Sequence, residues 1–552
     1  MKRKSSGKAK NSRDAGKIVR WLVQAVFVLS LPFFSLMVLS SSAGEMGYAV
    51  SLMVTLMIAV FLSGGAAKAL LEKQNRWYLL VAAAAALYLA YAYAWQGNGV
   101  SIMQRYPEVL DALIPIRVTS KRLAAGLMLA SFPSIFMLLY WLFQETWPYI
   151  RRFFKSFDAF ERGYMGIAIL AAVLIVPFFY RSTSAFYYAV YEDMVNLYDV
   201  LYTTDSTEVY LTDCFLRILA GPNDIRQPLF GLFALPVALV GKLVSAMFFF
   251  VPDMYAMALG MEQLILEAIT IIMLQRLVDV KGKERIWFTL FLSCSYAYVI
   301  HGLMLEQYVV AYFYVILVLY VYRKTDKLNF AYFGAVSTLL TSGILFGLIT
   351  KAKSLKQWVT DLLKCLAIYV GIVTVCGQLP QFLGVQDKME MLTTFTGEKV
   401  TWAEKWAQLT QFFRDMFWAP TAETQIGDFI GYRVVNDRGV SYLGILVLVC
   451  VVCGFVLSRR EWISKISMFW VLFSFLILFV VGWGTAENGL ILYALYFAWA
   501  YLVLVYQFLC RIMKKPGVRH AAIVILAVTM LVRNIYELVQ IYQFGVTYYP
   551  CL

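Results

Sequence analysis

Gly163–Arg181, GYMGIAILAAVLIVPFFYR, carries no charge before its last residue and is long enough to cross about 30 Å of hydrocarbon as a helix. A basic loop precedes it (Arg151, Arg152, Lys155, Arg162). An acidic segment, Ser182–Arg226, follows it, with seven carboxylates (Glu192, Asp193, Asp199, Asp205, Glu208, Asp213, Asp224) against Arg217 and Arg226. It closes into GPNDIRQPLF, residues 221–230. The whole chain has a formal charge of +14, so this reversal of sign is local. Basic before, acidic after, is the signature of a crossing that begins in the cytoplasm. The acidic segment then faces away from the cytoplasm, on the rim of a membrane domain.

Working outward, the same kind of run recurs along all 552 residues. The chain is 61% hydrophobic and 15% charged, with a mean hydropathy of +0.69, which excludes a set of soluble domains. In lipid only helices and closed barrels satisfy their backbone, and the runs lack the two-residue alternation of barrel strands. The expectation is an all-α polytopic membrane protein with about thirteen to fifteen spans, in which external loops carry short interfacial helices. The basic tail 1–17 is read as cytoplasmic, ahead of an uncleaved first span and not a signal peptide. Regions follow at 18–150 (four spans), 151–376 (a core that includes the acidic loop 182–226), 377–440 (a second external segment) and 441–552 (the C-terminal spans).

One count conflicts. Two full crossings at 228–250 and 255–279 would leave the basic loop KGKER (Lys281–Arg285) outside, so an incomplete crossing is expected there. The stretch 329–350 reads as a hairpin broken around Thr341-Ser342-Gly343. In 377–438 the stripe Trp402, Trp406, Leu409, Phe413 and Met416 fits a helix with an aromatic face. Its partner is either lipid or the protein's own outer surface.

Chemistry is sought among the external acids. Asp205 in TTDST and Asp213 in LTDC sit beside hydroxyl side chains, and a carboxylate near an apolar surface can accept a substrate proton; the alternative is that they only solvate the loop. Arg226 either holds a phosphate at headgroup depth or snorkels from a helix end. Glu306 in HGLMLEQYVV is costly unless paired, and Glu487 lies in a similar turn. His301 reads as a hydrogen-bonded interior histidine. Two histidines and a lone CxxC, Cys450 and Cys453, argue for apolar packing and no metal or redox site. No cofactor and no nucleic-acid partner are expected.

The order of these elements resembles the GT-C superfamily of integral-membrane glycosyltransferases, which includes the protein mannosyltransferases and the aminoarabinose transferase of lipid A. It runs from an external acidic loop after a span to NDIRQPLF, Glu306–Tyr308, and AENGLILY (486–493), within roughly 163–510. Gln227 stands where some bacterial branches carry histidine. The resemblance implies a GT-C-like core and a sugar donor linked to polyprenyl phosphate, with a glycan or lipid acceptor. The site is then external, in a cell-membrane protein whose N-terminus is cytoplasmic. It makes Asp205 the base, Asp213 the runner-up and Arg226 the ligand of the carrier phosphate, with no metal. Glu306, Tyr308, Glu487 and Tyr493 would line the substrate pocket. A flippase of lipid-linked saccharide and a polysaccharide polymerase are the competing functions. A transporter would place charged or broken helices at mid-membrane.

Overall fold

A computed structural model describes residues 4–38, 45–72, 75–95, 120–192, 196–202, 229–325, 338–375, 396–397, 399–427, 429–435, 439–486 and 489–551. The chain is an all-α, multi-pass membrane protein. Among the described residues eleven helices are long and apolar enough to cross a membrane, and twelve if one bent pair counts as a single span. Two short antiparallel hairpins are the sheet content of the described residues.

The chain divides into two compact units. The first comprises residues 1–158, 215–228 and 366–385. It contains α1 (Lys4–Val38), α2 (Glu45–Glu72), α3 (Arg76–Trp95) and α4 (Ser120–Lys155). Its core gathers Phe27, Leu31, Ala59, Ala66 and Met137. Ser30 ties α1 to α4 by donating to the Ala130 carbonyl and accepting from the Ser134 amide.

The second unit holds α5 (Ala159–Ser182), β1 (Ala189–Glu192), β2 (Asn196–Asp199), α6 (Phe230–Met247), α7 (Met254–Val278), α8 (Glu284–Ser293), α9 (Tyr296–Leu303) and α10 (Tyr308–Thr325). After these comes α11 (Leu355–Val375), whose second half belongs to the first unit. The second unit continues with α12 (Trp402–Asp415), β3 (Ala422–Ile426), β4 (Ile430–Val434), α13 (Tyr442–Ser458), α14 (Trp462–Phe475), α15 (Ala494–Ile512) and α16 (Pro516–Tyr548). α8 and α9 are the bent pair, meeting at 64°.

Its basic loops share one side. Arg276 at the end of α7 pairs with Glu161 at the start of α5, Nη2 to Oε2 2.6 Å, so these helices are antiparallel. Arg323 of α10 donates to the Arg276 carbonyl, and Lys351 donates to the Tyr322 carbonyl. Glu284, beside KGKER, pairs with Arg519 and with His520 of α16, and Arg511 pairs with Glu461. The loops around 159–162, 281–285, 323–324, 351, 459–465 and 511–519 of this unit therefore lie together. At the opposite ends, the Tyr187 hydroxyl donates to Asp253, and the Thr183 hydroxyl to the Tyr549 carbonyl.

This geometry explains the miscounted crossing. α6 and α7 are antiparallel neighbours: Lys242 lies 4.0 Å over the Tyr255 ring, while the Tyr314 hydroxyl reaches the Phe233 carbonyl. Their turn sits beside Tyr187, so KGKER returns to the basic side. Both runs are full-length candidate spans, so the incomplete crossing expected at 228–279 is not found, and residues 203–228 lie outside the described ones. Of the hairpin expected at 329–350, residues 326–337 lie outside the described ones; from Leu339 the chain runs as short helical pieces joined at Gly343, which keeps right-handed geometry and where a Cβ would meet Phe473 at 2.3 Å.

The aromatic stripe of α12 mostly faces protein. Leu409, Phe413 and Met416 are buried, Trp406 packs edge-on to Phe479, and only Trp402 stays largely open. A capping box starts the helix: Thr401 accepts from the Glu404 amide, and the Glu404 carboxylate accepts from Thr401. Those hydrogen bonds hold the Glu404 carboxyl below its usual range.

Close helix approach rests on small residues. A Cβ on Gly454 of α13 would stand 2.1 Å from the Leu504 carbonyl of α15. Gly454→Ala should therefore lower the unfolding midpoint in detergent, by about 1–3 kcal/mol of overpacking. Gly163→Ala, where a Cβ meets nothing within 4 Å, should hold or raise it. Equal midpoints for the two variants would contradict the packing.

Candidate functional site

A cavity of about 580 Å³ opens on the side away from the basic loops. Arg414, Glu423, Tyr432, Arg533, Glu537 and Gln540 supply its polar wall, and Trp418, Leu443 and Tyr536 its apolar wall. Leu443 and Tyr536 are 41% and 56% exposed. On the outer face of a membrane helix, such residues meet lipid. Along α16, Glu537 lies 12 residues, about 18 Å at roughly 1.5 Å per residue, before Tyr549, whose carbonyl meets Thr183 at the end of α5.

The long final helix delivers three groups here. Arg533 and Glu537, one turn apart, form an ion pair with Nη2 to Oε2 3.3 Å. The same Nη2 donates to the Pro420 carbonyl at 2.7 Å, and Nε donates to the Ala419 carbonyl at 3.2 Å. Asn534 is wholly buried and closes three backbone groups: its Oδ1 accepts from the Ala419 amide (2.8 Å), and its Nδ2 donates to Cys294 (2.8 Å) and Phe417 (3.2 Å).

β4 supplies the phenol. Tyr432 donates to Glu537 Oε1 at 2.7 Å, and its backbone bridges to Val200 and Tyr202, just after β2. Burial, with the Glu537 charge beside it, pushes the Tyr432 phenol up, so it stays a proton donor at physiological pH. Burial likewise raises Tyr202, which is hydrogen-bonded to Tyr296. Tyr202 has φ 55°, a left-handed conformation that a bulky residue adopts only where its surroundings enforce it. From α12, Arg414 lines the cavity and binds buried Asp415 through Nε (2.8 Å) and Nη2 (2.5 Å).

Of the residues singled out in the sequence, Asp205, Asp213, Arg226 and Glu487 lie outside the described residues. Glu306, Tyr308 and Tyr493 come together in a second, closed polar centre. Glu306 is fully buried in the unwound turn between α9 and α10; its amide donates to Gln263 Oε1 and its Oε2 accepts from the Gln307 amide, both 3.1 Å. Gln263 also donates to the His301 and Met304 carbonyls. The Tyr308 ring stands edge-on to His301, Tyr493 and Tyr496. His301 is the interior histidine expected, with Nδ1 2.9 Å from the Ala297 carbonyl and Nε2 3.3 Å from that of Leu492.

Sequence reading missed Arg414, Asp415, Arg533 and Glu537. The available signal was Arg533 and Glu537 at i, i+4 in an otherwise apolar final helix. Among the described residues no three His, Cys, Asp or Glu side chains group as a metal site. The chain matches no family model, no curated protein and no solved structure.

Asn534→Ala would leave the Ala419 amide and the Cys294 carbonyl without their partner, at about 1–3 kcal/mol for each group left unsatisfied, while the Phe417 carbonyl keeps the Tyr296 amide. The expected result is a lower unfolding midpoint and faster proteolysis in the 417–421 strap. A midpoint like that of the parent would show that the strap is held by other contacts.

Proposed function

We propose that the chain is a membrane glycosyltransferase of GT-C type. It transfers a sugar from a polyprenyl-phosphate carrier to a glycan or lipid acceptor on the external face of the cell membrane. Its N-terminus and basic loops are cytoplasmic, which the gathering of those loops on one side supports.

The observation that carries the reading is the cavity with two arginines, two carboxylates and a phenol among its polar lining and the exposed apolar Leu443 and Tyr536 beside them. A lipid phosphate is amphipathic in the same way. Arg414, on the cavity wall, suits the carrier phosphate, because a planar cation binds phosphate through paired donors. Arg226 is proposed beside it. Inversion at the sugar carbon needs one base and a stabilised leaving phosphate. Asp205 is the proposed base and Asp213 the runner-up. Glu537 holds Arg533 and Tyr432 toward the substrates. The closed centre of Glu306, Tyr308 and Tyr493, with Glu487, is proposed to line the rear of the sugar site.

A second reading, a transporter of lipid-linked saccharide, is favoured by Glu262 and Glu267 within the span α7. Sugar transfer separates the two. In membranes supplied with polyprenyl-phosphate-linked sugars, the parent should release free carrier phosphate, and Asp205→Asn should abolish that release. Arg414→Ala should raise the donor concentration needed for half-maximal rate by about tenfold or more, the loss of one charge-assisted contact. Loss in Glu537→Gln with full retention in Asp205→Asn would move the base to Glu537. Carriage of intact donor across the bilayer, with none consumed, would replace the enzyme by the transporter.

A further inference from the structure

α7 carries a second chemistry, away from the cavity. The helix starts beside the Asp253–Tyr187 contact and ends beside the Glu161–Arg276 pair. Glu267 is therefore about 20 Å from one end and about 17 Å from the other, the middle of the hydrocarbon layer. Its side chain is 5% exposed, and it has no hydrogen bond or ion pair to a described residue. A Cβ on Gly302 of α9 would lie 2.7 Å from Glu267 Oε2, so a glycine is what leaves the carboxyl its place.

The ionisable groups that its charge reaches on the neighbouring elements are phenols: Tyr164 of α5, Tyr298 of α9 and Tyr312 of α10. Tyr298 and Tyr312 are hydrogen-bonded to each other, and Tyr164 to Ser293 at 3.2 Å. Cys294 lies beside Tyr164. The cation of the same helix, Arg276, is committed to Glu161 and Tyr320. A carboxylate without a counter-charge at this depth costs several kcal/mol, whereas the uncharged acid costs far less.

We propose that Glu267 is a proton-binding site in the membrane interior, distinct from the cavity and built from one carboxyl, three phenols and the space left by Gly302. It binds an exchangeable proton, and it does so whichever of the two functions the cavity serves. A buried carboxylic acid also has a diagnostic reaction with apolar carbodiimides. The acid proton passes to a carbodiimide nitrogen as the carboxyl oxygen bonds to the central carbon. The O-acylisourea then rearranges by acyl transfer to nitrogen, giving a stable N-acylurea with no leaving group.

The test treats the full chain in proteoliposomes with dicyclohexylcarbodiimide across acidic, neutral and alkaline pH, followed by peptide mass mapping. The expected result is an N-acylurea on Glu267 whose yield falls as pH rises, and no such adduct from a water-soluble carbodiimide. Glu262, whose Oε1 is sealed and unpartnered on the same helix, is the internal comparison. No adduct on Glu267, an adduct on Glu262 alone, or equal reaction with the water-soluble reagent would overturn the site. Mapping is done on the unsubstituted chain, and sugar transfer is not the readout, so neither misfolding nor failure of the glycosyltransferase reading can imitate these outcomes.

Discussion

Asn534 is the point on which the cavity depends. One buried amide satisfies the backbone of three segments that have no regular ladder: the bend after α8, the end of α12 and the strap leading to β3. Inside the protein an open backbone group has little water to turn to, so an irregular strap survives only where side chains complete it. Arg533 does the same for Ala419 and Pro420, one position earlier. Because both residues are on α16, the helix that closes the strap also brings Glu537 to Tyr432. Structure and candidate chemistry are thus built from a single helical turn.

The same solution recurs at the turn between α9 and α10. There Gln263 spends its amide on two carbonyls and its oxygen on the Glu306 amide, so three backbone groups of the reversal are paired inside the protein. Glu306 is therefore a carboxylate in a sealed place, and Tyr308, Tyr493 and Tyr496 form an aromatic wall beside it. Tyr493 is fixed in turn by the Trp483 indole, which donates to its hydroxyl at 2.9 Å.

Hydropathy made the spans legible, because about 30 Å of hydrocarbon imposes a length that composition cannot hide. The hairpin α6–α7 was not legible. An apolar run states that it is in lipid but not from which side it enters; the Arg276–Glu161 and Asp253–Tyr187 contacts decide that. The stripe on α12 was ambiguous for a related reason, since Leu409 and Phe413 look the same whether they face lipid or α13 and α15. Glu306, Tyr308 and Tyr493 could be singled out because two lie in one short motif and the third follows an obvious turn; the structure shows where they sit, not what they do. Asp415 and Glu537 escaped because each is one acid in an aromatic or aliphatic setting, and the fold, not the spacing, brings them near Tyr432 and Tyr296.

Partners separate the acids of this protein into two kinds. Glu537 has an arginine one turn away and a phenol donating to it, groups that a bound phosphate or sugar would also touch. Glu267 has phenols and a glycine around it and no cation among the described residues. The first arrangement suits a group that exchanges partners with a polar ligand. The second suits a group whose occupancy by a proton changes the local charge of a helix core. α7 is held at one end by Asp253, which accepts from Tyr187, and at the other by Arg276, which pairs with Glu161. A change of charge at Glu267 would therefore act on a helix fixed at both ends, one of them the Tyr187 corner.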